Sequence, residues 1–296
     1  MEIRVENLTK KYDKNVVIDS LSMNIPSGSI YGFIGPNGAG KTTTMRMMIG
    51  LLNGNGGTTY YDGKDITLDK NELLKNIGVF ISRPSYYGNL TAYENLSYIQ
   101  KVLDKPIKEV DRVLNLVELI NAKDKLVKKY SLGMKQRLGL AFAFLNDPEV
   151  LILDEPTNGL DPRGIHDMRE LLVNLSKNCG KTILISSHNI SEIEMIADDI
   201  CIINHGKKVF EGSLPSLFNI KGINYGLRVD KIEKTKKVLV ENKISYKMNN
   251  SLFEIEINRE FVPELIKLLI KRDIKPYEIA PNKNLEDIFL RITGEE

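Results

Sequence analysis

The sequence predicts an α/β protein, a parallel sheet covered by helices on both faces, followed by a smaller α+β domain. Two observations carry this. Apolar strand-like runs alternate with helix-period segments through most of the chain, which is the pattern of a parallel sheet. Near Phe218 the pattern changes to short alternating strands, a hairpin signal and amphipathic helices. The expected domains are residues 1–218 and 219–296.

Taken in order, Ile3 and Val5 alternate with polar residues, as do Leu21, Met23 and Ile25, so the opening reads as strands. Ser27-Gly28 marks a turn, and Ile30–Ile34 is an apolar strand running into Gly35. Met45, Met48, Ile49 and Leu52 recur at i, i+3, i+4, i+7, the period of a helix. After a Gly/Asn loop, Thr58–Tyr61 reads as a short strand. From about Thr91 to Leu145 the pattern is helical, with apolar stripes through Val113, Leu116, Val117 and Ile120 and through Met134, Leu138, Ala141, Phe142 and Leu145. Val150–Leu153, Thr182–Ile185 and Ile200–Ile203 are buried-type strands. Asp161-Pro162 is an N-cap followed by proline at the first helical position. Ser191 to Glu194 reads as a capping box. Beyond residue 218, Ile244–Met248 and Leu252–Ile257 flank Asn249-Asn250-Ser251 as a hairpin. Phe261–Ile270 and Leu285–Leu290 read as helical, and Ile274–Ile279 as extended.

The 296 residues are 42% hydrophobic and 27% charged, ordinary values that exclude a disordered chain, a collagen-like chain and a disulfide scaffold. Lys and Arg number 41 against 39 Asp and Glu. This balance lacks the basic excess of a general nucleic-acid binder, so no nucleic-acid partner is expected. Residues 219–296 hold 15 Lys and Arg against 13 Asp and Glu, so they are no basic tail. Cys179 and Cys201 form no CxxC pair and no zinc-site spacing. The opening residues are polar and charged, unlike a signal peptide. Apolar runs such as Leu140–Leu145 fall well short of the roughly 20 residues a spanning helix needs. A soluble chain that docks onto a membrane protein is the expectation.

The chemistry is concentrated in three segments. Gly35-Pro36-Asn37-Gly38-Ala39-Gly40-Lys41-Thr42 matches the phosphate-binding loop GxxxxGK[ST]. Its glycines let backbone N–H groups curl round an anion, which the following helix N-terminus also attracts. Lys41 can reach the β- and γ-phosphates of a nucleotide, and the Thr42 hydroxyl can ligate Mg²⁺. Val150–Leu153 then ends in Asp154 and Glu155, at the carboxyl end of a strand where α/β sheets bind ligands. Asp154 is placed near Mg²⁺, and Glu155, one residue further out, can orient and deprotonate a water. The third segment, Tyr130 to Arg137, opens a helix with Ser131 as its N-cap. Lys135 and Arg137 in its first turns oppose the helix dipole, a mismatch that an arriving phosphate would relieve. A solvated basic first turn explains them equally well.

The phosphate loop, Ser131-Leu132-Gly133-Met134-Lys135-Gln136-Arg137, Leu153-Asp154-Glu155-Pro156 and Ser186-Ser187-His188, in that order, resemble the ATP-binding-cassette (ABC) ATPase family over about residues 1–215. The resemblance implies a P-loop NTPase with an N-terminal antiparallel β part and a helical subdomain. It implies ATP and Mg²⁺ as cofactors, with Gly35 to Thr43 on the phosphates, Thr42 and Asp154 at the metal, and Glu155 and His188 as catalytic groups. Tyr12 stands where the family stacks an aromatic on adenine. Asp161 closes a loop that links two ATP sites. Ser131 and Gly133 complete the site of a second copy, so a homodimer is implied. Three departures stand out. Leu132 and Met134 replace a Gly and a Gln of the family signature, and Ser82 occupies the position of a metal- and water-side Gln. Ser82 is short and neutral, so its reach to the metal differs.

Finer resemblance, carried by Pro84–Leu96, Tyr130–Arg137 and Leu285–Leu290, is to ATPases of bacitracin- and lantibiotic-resistance exporters. It implies an integral membrane permease as partner, with Tyr86 and Tyr87 on the facing surface. It also implies a cytoplasmic location at the inner face of the membrane. Two rival readings stay open: an ABC ATPase acting on nucleic acid or the ribosome, and a regulatory ABC protein with weak hydrolysis.

Overall fold

The computed structural model of the chain describes residues 1–81, 85–217, 224–249, 251–281 and 289. It divides into two compact units, Met1–Ser213 and Leu214–Glu296. The division falls slightly ahead of the expected 218/219 boundary, because β10 ends at Ser213 and a short helix begins at Leu214.

In the first unit, β1 (Ile3–Tyr12) and β2 (Asn15–Ile25) form a hairpin, with Ile3, Val5, Leu8, Leu21, Met23 and Ile25 all buried. β3 (Ile30–Ile34) leads through the glycine loop into α1 (Lys41–Met48). β4 (Gly56–Tyr61) and β5 (Lys64–Asp65) complete an antiparallel sheet of order β2-β1-β4-β5. After α2 (Lys70–Leu74), β6 (Ile77–Phe80) enters the larger sheet. The helical stretch resolves into α3 (Ala92–Val102), α4 (Lys108–Leu116) and α5 (Leu132–Phe144). Thr91 starts α3 with a complete capping box, accepting from the Glu94 N–H while Glu94 accepts from the Thr91 N–H.

β7 (Val150–Asp154), α6 (Pro162–Lys177), β8 (Thr182–Ser187), α7 (Ile190–Glu194), β9 (Asp199–Asn204) and β10 (Lys207–Ser213) follow. The six-stranded sheet has the order β10-β9-β3-β8-β7-β6 and is parallel except for β10. β3 and β8 are buried along their whole length, as parallel strands covered on both faces are. Tyr31 and Phe33 of β3, Met45 and Met48 of α1, and Ile152 of β7 join the hairpin residues in one core.

One local expectation is corrected. Ser191 does not cap α7; the Asn189 side chain accepts from the Ser191 N–H at 3.1 Å, so the helix starts before Ser191. An Asx-type cap two residues upstream satisfies the Ser191 amide instead, an orphan donor of the first turn.

Gly40 fixes how the glycine loop enters α1. Its φ is +107°, and an added Cβ would lie 2.3 Å from Cδ1 of the fully buried Ile18. Gly40→Ala is expected to cost roughly 1–3 kcal/mol through backbone strain and overpacking, read as a lowered denaturation midpoint.

The second unit runs α8 (Leu214–Leu217), β11 (Asn224–Val229), α9 (Ile232–Glu241), β12 (Tyr246–Asn249), β13 (Leu252–Glu256), α10 (Val262–Lys271) and β14 (Pro276–Pro281). The sheet order β12-β13-β11-β14, all antiparallel, is the ferredoxin-like β-α-β-β-α-β arrangement. Leu227, Phe253 and Ile255 of the sheet pack with Leu239 of α9 and Leu265 and Leu269 of α10. Of the expected helix Leu285–Leu290 only Phe289, which is buried, lies within the described residues.

Candidate functional site

β3, β7 and β8 are neighbours and parallel, so their carboxyl ends lie on one edge of the sheet. Each delivers one part of the site. The glycine loop follows β3, and Gly35 can carry no side chain because a Cβ would lie 2.6 Å from the Ile203 carbonyl. The loop closes on itself through the Ala39 N–H, which donates to the Pro36 carbonyl at 3.1 Å. Asn37 and Gly38 are exposed at its tip, and Thr43 is half-buried in the first turn of α1.

Lys41 is buried, and its Nζ donates to the Gly35 carbonyl at 2.6 Å and the Pro36 carbonyl at 3.3 Å. The same Nζ lies 3.6 Å from Glu155 Oε1. Burial pulls the ammonium below the ordinary lysine range, and the nearby carboxylates of Glu155 and Asp154 oppose that.

Asp154 ends β7 with both oxygens engaged. Thr42 Oγ1 donates to its Oδ2 at 2.7 Å, and Ser186 Oγ to its Oδ1 at 2.6 Å. Ser186 Oγ also accepts from the Glu155 N–H at 3.0 Å. One buried hydroxyl on β8 therefore holds both acidic residues, and the parallel register pairs Asp154 directly with Ser186. Glu155 turns out of the strand with φ +49°. Its Oε2 lies 3.1 Å from His188 Nδ1 and accepts from Asn158 Nδ2 at 3.2 Å.

The loop after Glu155 is braced. Thr157 Oγ1 donates to Glu192 Oε2 at 2.6 Å, and Asn189 Nδ2 to Glu192 Oε1 at 3.2 Å. Asp161 caps α6, its Oδ1 accepting from the Gly164 N–H at 3.0 Å. Ser131 caps α5, accepting from the Met134 N–H at 3.3 Å, and stays exposed. Gln136 donates to the Asn158 carbonyl, and a Cβ on Gly133 would lie 3.2 Å from Leu160 Cδ2. The start of α5 thus packs beside the loop 158–161.

Two groups result. Lys41, Thr42, Asp154, Glu155 and His188 converge at the sheet edge. Ser131 and Gly133 stand beside the loop that ends at Asp161, and Gln136 and Asn158 join that group to the edge. Tyr12, half exposed at the end of β1, makes a cation–π contact with Lys10 Nζ at 4.8 Å. Arg137 is not available to a phosphate, being bound to Glu118 and, at 2.8 Å, to Asp167. Ser82 lies outside the described residues. Ser186 and Gln136 stand in the sequence only as members of matched segments, and the contacts that they and Glu192 make here are not legible from spacing.

The hydroxyl and carboxylate oxygens of Thr42 and Asp154 are hard donors and suit Mg²⁺, which takes few protein ligands and the rest from water and phosphate. No cluster of three or more His, Cys, Asp or Glu ligands occurs among the described residues, so no all-protein metal cage competes for that assignment.

A family model described as ABC transporter matches residues 18–158. The bacitracin transport ATP-binding protein BcrA of Bacillus licheniformis is 39% identical over 99% of this chain and 97% of its own length. The lantibiotic transport ATP-binding protein SrtF of Streptococcus pyogenes is 43% identical, covering 96% of its own length but 73% of this chain. A solved dimeric ATP-binding cassette in a post-hydrolysis state, bound to ADP and Pi, superposes with TM-score 0.65 at 25% identity, over 71% of this chain and 98% of that one.

Proposed function

This chain belongs to the ABC transporter family as an ATP-binding protein, and we propose that two copies of it close around two Mg-ATP to drive export through a separate integral membrane permease. The chain is an ATPase. The observation that carries the mechanism is the pairing of Glu155 with Lys41 on one oxygen and with His188 and Asn158 on the other.

Lys41 binds the β- and γ-phosphates together with the loop amides of Gly35 to Thr43. In doing so it leaves Glu155 Oε1, which then accepts a proton from the attacking water. His188 holds Oε2 and reaches the γ-phosphate. Thr42 and Asp154 would hold Mg²⁺, which would supply charge neutralisation on the phosphates. Tyr12 stacks on the adenine. Ser131, Gly133 and Asp161 face the nucleotide of the other copy.

No helix among the described residues is long and apolar enough to cross a membrane. A groove of about 470 Å³, lined by Val79, Phe80, Ile81, Tyr86, Tyr87 and Tyr98, suits a short apolar permease segment. Tyr86→Ala with Tyr87→Ala is expected to weaken that contact at least tenfold, the loss of an aromatic anchor, and to leave basal hydrolysis intact. Co-purification of permease with wild type and variant measures it. A peptide antibiotic is the proposed cargo, supported by what BcrA and SrtF are named for. Deleting the gene should then sensitise cells to bacitracin or a lantibiotic; unchanged susceptibility to both overturns that cargo.

The second unit serves an accessory or regulatory role. SrtF is covered almost end to end without matching a quarter of this chain, and every phosphate-site residue precedes position 190. A chain ending near Phe218 is expected to keep Mg-ATP binding. A truncated chain that melts cooperatively but binds no nucleotide would refute this division.

A further inference from the structure

The end of α3 and the turn into α4 present a surface that the ATPase reaction does not use. Tyr98, Lys101 and Val102 follow at i, i+3 and i+4 on one face of the last turns of α3, and the chain then leaves the helix through Asp104, φ +51°, ahead of Lys105. Tyr98 is 56% exposed, Val102 69% and Ile107 51%. Leu103 adds a fourth exposed apolar side chain, and Lys101 and Lys108 are also exposed. Four large apolar side chains and three lysines therefore crowd into eleven residues, with Asp104 the one acidic side chain among them. Among the described residues none of the three lysines makes an ion pair, although half-buried Lys105 adds to Lys181 in holding the Asp147 carboxyl below its usual range.

The corner is rigid. The Lys105 N–H donates to the Gln100 carbonyl at 3.1 Å, and the Gln100 side chain, itself buried, donates back to the Lys105 carbonyl. The Asp104 N–H donates to the Lys101 carbonyl at 3.2 Å. Ordering these side chains against a partner therefore costs little backbone entropy. Tyr98 also packs edge-on against Tyr87, ring centroids 6.2 Å apart, which places the corner beside the Tyr86–Tyr87 loop.

Unpaired lysines interleaved with exposed apolar and aromatic tips match one kind of partner well. The lysines complement a negative surface, and their stems lie flat while the charge reaches outward. The apolar tips enter the headgroup boundary, where tyrosine is also favoured. We propose that this corner, Tyr98 to Lys108, rests directly on an anionic lipid surface. The contact shares only Tyr98 with the docking groove and needs no permease, so it is tested without one.

Each lysine near an anionic membrane is worth roughly fivefold in partitioning. The full-length protein should co-sediment with phosphatidylglycerol-containing vesicles at low salt and much less with pure phosphatidylcholine vesicles. Binding should fall as salt screens the lysines. Lys101→Gln, Lys105→Gln and Lys108→Gln together should weaken it on the order of a hundredfold. Val102→Ser with Ile107→Ser should weaken it with no change in salt dependence. Basal ATP hydrolysis should be unchanged in both variants, which also reports that they are folded. Equal binding to both vesicle types, or no binding at low salt, overturns the proposal. So does a triple variant that binds as the wild type does. Loss of permease co-purification in that variant, with wild type indifferent to vesicles, would assign the corner to protein docking instead.

Discussion

Glu155→Gln is expected to bind ATP yet hydrolyse it about 10²–10⁴-fold more slowly, the usual loss when a general base is removed. Glutamine keeps the length and planar shape of the side chain. Its Oε1 can still meet Lys41, and its amide can donate to His188 Nδ1, so the neighbours that hold Glu155 at 3.6 Å and 3.1 Å need not move. What is lost is the proton acceptor. ATP should then persist in the site and the ATP-bound dimer accumulate. Single-turnover hydrolysis measures the first effect, and size-exclusion chromatography with ATP the second. Turnover at the wild-type rate by the purified variant would remove Glu155 from the mechanism.

The second large effect separates the two groups of site residues. Lys41→Ala removes the buried ammonium, and Ser131→Arg puts a bulky cation at the exposed start of α5. Ser131→Arg also removes the cap on the Met134 N–H, about 1 kcal/mol, which a thermal melt will register without loss of the fold. Each variant alone should be inactive, because both sites of its homodimer are damaged. Mixed, they should regain hydrolysis at the one site where an intact Lys41 faces an intact Ser131. If heterodimers form and recover nothing, either the composite site is wrong or the two sites are strictly interdependent. Nucleotide binding at the single intact site decides between those.

Sequence and structure agree where the signal is local. The phosphate loop, the Asp161-Pro162 start of α6 and the Ser131 cap of α5 are set by residues within a turn of one another, so spacing alone exposes them. Ser186 was hidden because its partner, Asp154, is 32 positions away and is met only through strand pairing. Glu192 joins Thr157 across 35 positions, and Gln136 reaches Asn158 across 22. Arg137 misled for the same reason. Its charge read as free in the helix's first turns, whereas Glu118 and Asp167 approach from two other elements. Ser191 differs at shorter range: Asn189 caps the helix two residues earlier by accepting from the Ser191 N–H, from a position that the capping-box pattern does not test. In the sheet β12-β13-β11-β14 only the β12–β13 hairpin is legible in the sequence, because hairpin signals identify neighbours in sequence and β11 pairs with strands far along the chain.

The in-register contact between Asp154 and Ser186 also acts as a check on assembly. Successive residues of a strand point to opposite faces, so a slip of one residue between β7 and β8 would carry the Ser186 hydroxyl to the wrong side of the sheet. Asp154 would then lose its second donor and Glu155 the acceptor for its amide. A misregistered sheet could still bury its apolar side chains, since both strands are apolar on both faces, yet it would be silent as an enzyme. Hydrolysis therefore reports on the correct threading of the central strands more sharply than burial does. Insertions and deletions compatible with activity should be confined to the connections outside β7 and β8.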